Sequence, residues 1–245
     1  MRKYEIPENR FRNFYHLDVV SSTMDECENL IKSGVSSGIV VADSQTSGRG
    51  RNAKKWSSEA NGNIYLSFFD GLDVGFIPQR CAVAAFSAVS EFVKNAEEVR
   101  IKWPNDILIG MKKVSGIIAK TALFNEKRFY ICGIGVNLFH PHEPGMNFVW
   151  PPAALTDYAE TTTEEVLCAL IKGIDRAFSL KASEIIDVYG QNISWMINRK
   201  LLFSQDLIHN EKGEIAGFSD DFSMVKILTD DGLKELSALS VLSLD

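Results

Sequence analysis

The sequence has no C-x-x-C pair among its four cysteines, Cys27, Cys81, Cys132 and Cys168, so neither a disulfide framework nor a cysteine zinc site organises the chain. They read as reduced and mostly buried thiols. No apolar run approaches the roughly 18–20 residues of a membrane helix, and Met1-Arg2-Lys3-Tyr4-Glu5 lacks the apolar stretch of a signal peptide. A cytoplasmic location without a membrane partner is the expectation. Positive charge is also short: 26 Lys and Arg face 32 Asp and Glu, a net −6, so the surface as a whole repels nucleic acid. Low-complexity tracts and repeats of solenoid period are missing too, which excludes disordered and solenoid architectures. What remains is an ordinary globular composition, 45% hydrophobic and 24% charged, with 245 residues for one large domain or a large one plus a small one.

Periodicity then places the elements. Thr23 is an N-cap type residue with Glu26 three positions on, and Met24, Cys27, Leu30 and Ile31 form one apolar stripe before Gly34, which predicts a helix over 24–32. The residues before it read as a charged N-terminal arm. Strands are expected at 39–42 and 63–69, and a largely apolar helix at 78–95 opened by Pro78. From Val99 the period falls to two, with Val99, Ile101 and Trp103 on one face and Arg100 and Lys102 on the other. Further strands follow at 107–109, 114–121 and 128–136, the first two joined by a turn over 110–113, then helices at 163–180, with Thr163 as a possible N-cap, and 184–192. After residue 195 the texture becomes short β segments at 201–203, 207–209, 215–218, 224–228 and 233–236, with Asp231-Gly232 as a hairpin turn. This pattern predicts an α+β fold, a mostly antiparallel sheet with helices over residues 1–194, and a small barrel over 195–245.

Four segments carry chemistry. In Gly48-Arg49-Gly50-Arg51-Asn52-Ala53-Lys54-Lys55, four of eight residues are basic and two are glycines, a composition that suits phosphate, or alternatively a solvated loop or an RNA contact. Lys102-Trp103-Pro104-Asn105-Asp106 ends a strand in a proline turn that presents Asn and Asp; Asp106 is a candidate ligand for Mg²⁺, and a plain Asx turn is the alternative. Lys113 opens an apolar strand beside Gly116, where a fixed cation would stabilise charge on a phosphoryl group, or would be an ordinary hairpin lysine. Gly133 and Gly135 leave a strand face bare enough to accept a flat apolar ring. His140 and His142 flank Pro141 in a loop and read as surface residues.

In order and spacing, Gly48-Arg49-Gly50-Arg51 with Trp56, Lys102-Trp103-Pro104-Asn105-Asp106, Lys113-x-x-Gly116 and Gly133-x-Gly135-x-Asn137 resemble the biotin protein ligases, from about Ser21 to Asn137 and more weakly beyond. The resemblance implies a mixed, mostly antiparallel sheet flanked by helices, as in class II synthetases, with a small C-terminal SH3-like β-barrel. It also implies formation of biotinyl-5′-AMP from biotin and ATP with Mg²⁺, and transfer to a lysine of a biotin carboxyl carrier protein; the sequence leaves monomer and homodimer both open. Residue by residue, it places Ser22, Thr23, Gln45 and Arg49 on the biotin ureido ring and Gly116, Ile118 and Gly133 under the bicycle. Arg51, Lys54, Trp56, Lys102, Asn105 and Asn137 fall on the nucleotide side, Asp106 on the metal, and Lys113 with Arg51 at the reacting groups.

Four positions depart from the family pattern: Met24 stands where Asn is usual after Ser-Thr, Ala53-Lys54 where Gly-Arg is usual, and Lys120 where Glu is frequent. The short stretch before Ser21 leads to the expectation of an enzyme without a DNA-binding helix-turn-helix. A lipoate or octanoate ligase and a biotin-binding homologue with impaired turnover are the alternatives.

Overall fold

The computed structural model describes residues 4–51, 55–60, 62–72, 74–140, 150–204, 210–238 and 240–244. Among the described residues, twelve strands and four α-helices follow one another as β1 (Phe14–Val20), α1 (Thr23–Lys32), β2 (Ser37–Gln45), β3 (Ile64–Asp70), α2 (Ile77–Ser90), β4 (Val99–Lys102), β5 (Asp106–Ile109), β6 (Lys112–Phe124), β7 (Lys127–Val136), α3 (Thr163–Ser179), α4 (Ala182–Ile193), β8 (Lys200–Phe203), β9 (Glu211–Phe218), β10 (Met224–Thr229), β11 (Gly232–Ser237) and β12 (Val241–Leu244).

The first seven strands form one sheet in the order β1-β2-β3-β7-β6-β5-β4, parallel only between β1 and β2. Its centre is β3 and β7, whose side chains are buried on both faces. Helices α2, α3 and α4 cover one face, with α3 and α2 in close approach at Gly173, where a Cβ would meet the Ala84 carbonyl at 2.7 Å. On the other face α1 covers a smaller area, packing Met24, Cys27 and Ile31 against Val40, Phe69 and Ile131. The rest of that face is left for the site.

Strand β1 was not anticipated within the N-terminal arm. Its Phe14-Tyr15-His16-Leu17-Asp18-Val19-Val20 is half-exposed as an edge strand, so it lacks the alternation of a strand buried on one side. The cap of α1 is Ser22, not Thr23: Ser22 Oγ accepts the Met24 amide, while the Thr23 hydroxyl faces Ser67 and Gln45. Likewise α3 is capped by Thr162, one residue earlier than Thr163, in a capping box with Glu165. Helix α2 stops at Ser90, short of 95. Two hairpin turns are tighter or shifted relative to expectation: Gly110-Met111 alone joins β5 to β6, and Asp230-Asp231 joins β10 to β11 with Gly232 already paired to Thr229.

The C-terminal strands form a second antiparallel sheet in the order β11-β10-β9-β8-β12. The expected barrel is corrected to an open sheet among the described residues, since no pairing joins β11 to β12. The expected strand at 207–209 lies outside the described residues. Cys27, Cys81 and Cys132 are buried and Cys168 half-buried, all with free thiols. Among the described residues, no helix is long and apolar enough to cross a membrane.

Candidate active site

A cavity of about 590 Å³ opens on the sheet face that α1 leaves uncovered. All the site residues expected from sequence line it except Lys54, which, with Ala53 and His142, lies outside the described residues.

At one end the chemistry is neutral. The start of α1 meets the end of β2, so Gln45 Oε1 accepts from the Thr23 amide at 2.8 Å and its hydroxyl at 3.1 Å, while Gln45 Nε2 donates to Ser58 Oγ at 2.8 Å. Thr23 Oγ1 and Ser67 Oγ are 2.7 Å apart. Such a network can exchange hydrogen bonds with a polar, uncharged ring without moving any charge. Arg49 extends over this end, but its guanidinium is paired with Asp25 in the first turn of α1.

The floor is glycine. Gly116 of β6 faces Gly135 of β7, and Ile118 faces Gly133. The bare surface expected to receive a flat ligand ring is instead covered by the chain itself. A Cβ on Gly135 would meet the Trp56 indole at 2.5 Å, one on Gly116 would meet it at 2.7 Å, and one on Gly133 would meet Met24 Sδ at 3.2 Å. The basic loop is closed at its base by the Trp56 amide donating to the Gly48 carbonyl, 3.0 Å, and by a bridge between Arg49 and Lys55. That closure lays the indole on the glycines.

The other end is cationic. Lys102 and Asp106 face each other across β4 and β5, flanking the turn at Trp103-Pro104-Asn105. A bulge shifts the β5–β6 register so that Ile107 pairs with Ser115 but Leu108 with Lys113. The extra residue, Val114, is buried in the core, and bulges of this kind re-aim neighbouring side chains. Lys113 Nζ consequently lies 2.7 Å from one Asp106 oxygen and Lys102 Nζ 3.3 Å from the other. Burial works to raise the Asp106 pKa, but Lys102 and Lys113 outweigh it, and the carboxyl is held below the ordinary carboxylate range. Arg51 donates to Asn105 Oδ1 at 3.1 Å; burial lowers its pKa, although a guanidinium stays charged. Asn137 steadies the lysine strand from behind, its amide donating to the Val114 carbonyl at 2.8 Å.

Mg²⁺ finds no ready-made cage here. Both oxygens of Asp106 face lysines, and among the described residues no group of three carboxylate, histidine or cysteine side chains converges. His140 pairs with Asp157 at the surface.

Several lining residues carried no sequence signal. Trp150, in a proline-rich stretch, stacks on Lys102 Nζ at 5.6 Å, and the segment after it runs beside Lys113, whose amide donates to the Pro151 carbonyl. Met196, Leu201 and Val225 reach the cavity from the C-terminal segment. They are ordinary apolar core residues, indistinguishable by type from their neighbours.

Residues 17–137 match the model of the biotin/lipoate A/B protein ligase family. The bifunctional ligase/repressor BirA of Bacillus subtilis is 37% identical over 129 residues, 51% of this chain and 39% of that protein. The biotin--[acetyl-CoA-carboxylase] ligase of Mycobacterium tuberculosis is 32% identical over 136 residues, 50% of this chain and 49% of that protein. The matched region thus spans between about two fifths and one half of the length of these relatives. Over the whole fold, the biotin protein ligase from Aquifex aeolicus in complex with biotin and ATP superposes with a TM-score of 0.71 at 28% identity, covering 96% of this chain and 99% of that one. Residues 17–137 thus carry a domain of the biotin/lipoate A/B protein ligase family, and the relatives that the chain resembles in sequence and in fold are biotin ligases.

Proposed function

We propose that the chain is an ATP-dependent biotin protein ligase that makes biotinyl-5′-AMP and passes biotin to a lysine of a biotin carboxyl carrier protein. The observation that carries this is the division of one cavity into a neutral hydrogen-bonding end and a cationic end, joined by a glycine strand surface on which the Trp56 indole rests. Biotin has matching parts: a neutral ureido ring, an apolar bicycle and an anionic tail.

Thr23, Gln45, Ser22 and Arg49 are assigned to the ureido ring, with Gly116, Ile118 and Gly133 beneath the bicycle once the Trp56 indole and the Met24 side chain give way to it. A carboxylate oxygen of biotin attacks the α-phosphorus of ATP, the bond to the β-phosphate breaks, and pyrophosphate leaves. Two anions must meet for this, and Lys113, with Lys102 behind it, offsets their repulsion in a site already held positive. Arg51, Lys54, Trp56, Asn105 and Asn137 are assigned to the nucleotide, Arg51 closing over it. In the second step the acceptor lysine amine attacks the acyl carbon, AMP departs, and the amine loses its proton. The residues around Asp106 do not form a metal cage, because both of its carboxylate oxygens face lysines, so Asp106 is not assigned to Mg²⁺.

We place the catalytic unit in residues 1–194 and a smaller β unit in 195–245, and the reaction in the cytoplasm, in keeping with free thiols. The test is transfer of labelled biotin to a biotin carboxyl carrier domain with and without ATP, and with lipoate as competitor. ATP-dependent labelling that lipoate does not suppress is expected. Labelling without ATP, or equal use of lipoate, overturns the assignment, and absence of pyrophosphate release would make the chain a binder only.

A further inference from the structure

We propose that Tyr189 of α4 is a positioning residue for the nucleotide end of the cavity, setting the Pro104-Asn105 turn and, through Asn105, the place of Arg51. This rests on the ligase activity proposed above and extends it to a side chain outside every motif of the sequence.

Tyr189 is fully buried, 1% exposed, and its hydroxyl donates to the Pro104 carbonyl at 3.0 Å. The Pro104 carbonyl belongs to the peptide between Pro104 and Asn105, so this peptide is held at both ends, at its oxygen by Tyr189 and at its amide hydrogen by the Lys102 carbonyl. The next residue, Asn105, is the junction of the site. Its amide donates to the Lys102 carbonyl at 3.1 Å, its carbonyl accepts the Ile117 amide at 2.8 Å, its Nδ2 donates to the Ile117 carbonyl at 2.6 Å, and its Oδ1 accepts from Arg51. From Tyr189 to Arg51 the path is therefore Tyr189 hydroxyl, Pro104 carbonyl, Asn105 side chain, guanidinium. The charges of Arg51 and Asp106 both act on the Tyr189 hydroxyl, which places it behind the cationic end. Its ring is held independently, 5.1 Å from the ring of Phe222, whose carbonyl accepts the Trp103 indole N–H at 2.8 Å. Removing the hydroxyl alone should therefore loosen the turn without emptying the core.

The test is Tyr189→Phe in the full chain. The KM for ATP in pyrophosphate release should rise by about three- to tenfold, the factor one neutral hydrogen bond carries, while biotin affinity stays within about twofold. Hydrogen exchange at the Asn105 and Ile117 amides should quicken with the rest of the sheet unchanged. The Arg51→Ala variant and the Arg51→Ala, Tyr189→Phe double variant should release adenylate at the same rate within about twofold, because one route carries both effects. A change in stability with an unchanged KM for ATP, a parallel loss of biotin affinity, or multiplying effects in the double variant would each overturn the assignment. If the unaltered protein releases no pyrophosphate, the ligase activity is what fails, and amide exchange at Asn105 and Ile117 still decides whether Tyr189 sets the turn.

Discussion

Asp106 decides how the cationic end behaves, because it lets two lysines approach each other inside a partly buried cavity. Asp106→Asn leaves Lys102 and Lys113 facing one another, with Arg51 near, and should cost about 1–3 kcal/mol of stability. The sign of its pH dependence follows from the lowered pKa. A carboxyl whose folded value lies below its unfolded value, near 3.9, stabilises fully above the latter and loses that contribution as pH falls through the folded value. Urea unfolding should then show a gap between the two proteins that is flat from about pH 5 to pH 9 and narrows only below about pH 4. A gap that narrows between pH 5 and 7 would mean a raised carboxyl pKa and a different electrostatic arrangement. Lys113 is the cation aimed by the bulge, and Lys113→Ala should slow adenylate formation by about a hundredfold or more, the scale of a lost electrostatic stabiliser. Near-normal single-turnover rates in that variant would remove Lys113 from the reaction.

At the scale of elements, the site depends on two strands having no side chains where the basic loop lands. Gly135→Ala would push a methyl into the Trp56 indole, which lies 2.5 Å from that Cβ position, so the indole must shift from the loop base that the Trp56–Gly48 hydrogen bond closes. The expected result is a changed Trp56 emission, read as the difference from Trp56→Phe, together with adenylate escape about tenfold faster. Unchanged emission and retention would show that the indole does not rest on the glycines in solution. Those glycines were legible in the sequence because a glycine inside an apolar strand has a local meaning, and the Gly48–Arg51 and Lys102–Asp106 segments were legible because their chemistry is contiguous. The ring that covers the glycines was not, since nothing local links Trp56 to residues 60 and more positions away. Strand β1 escaped because an exposed edge strand lacks a buried face, and the Ser22 cap because Ser22 and Thr23 are both cap-type residues and only Gln45 and Ser67, distant in sequence, claim the threonine. Tyr189 escaped for the same reason as Trp150: its partner is set by the tertiary fold.

Across the whole molecule, a chain of net charge −6 keeps Arg51, Lys102 and Lys113 around one hollow, and the C-terminal sheet forms part of that hollow's support. Leu201, Phe203, Ile215, Val225, Ile227 and Leu236 belong to the same continuous core as Trp103 and the α2–α4 face. Hydrogen bonds cross the proposed boundary at residue 195 as well: the Trp195 indole donates to the Ile101 carbonyl at 2.9 Å and Gln79 to the Asp221 carbonyl at 3.0 Å. Unfolding the last sheet alone would strip the underside of the Lys102–Asp106 turn and expose Trp103, 3% exposed in the folded state, so neither part gains by separating. Calorimetry should therefore give one cooperative transition despite two sheets, with its calorimetric and van't Hoff enthalpies in agreement. Biotin plus ATP should raise that single transition as a unit, by about 2.7 kcal/mol at a hundredfold excess over the dissociation constant. Two transitions, of which only the upper one responds to the ligands, would mean that the C-terminal sheet is an appendage and that the cavity is complete without it.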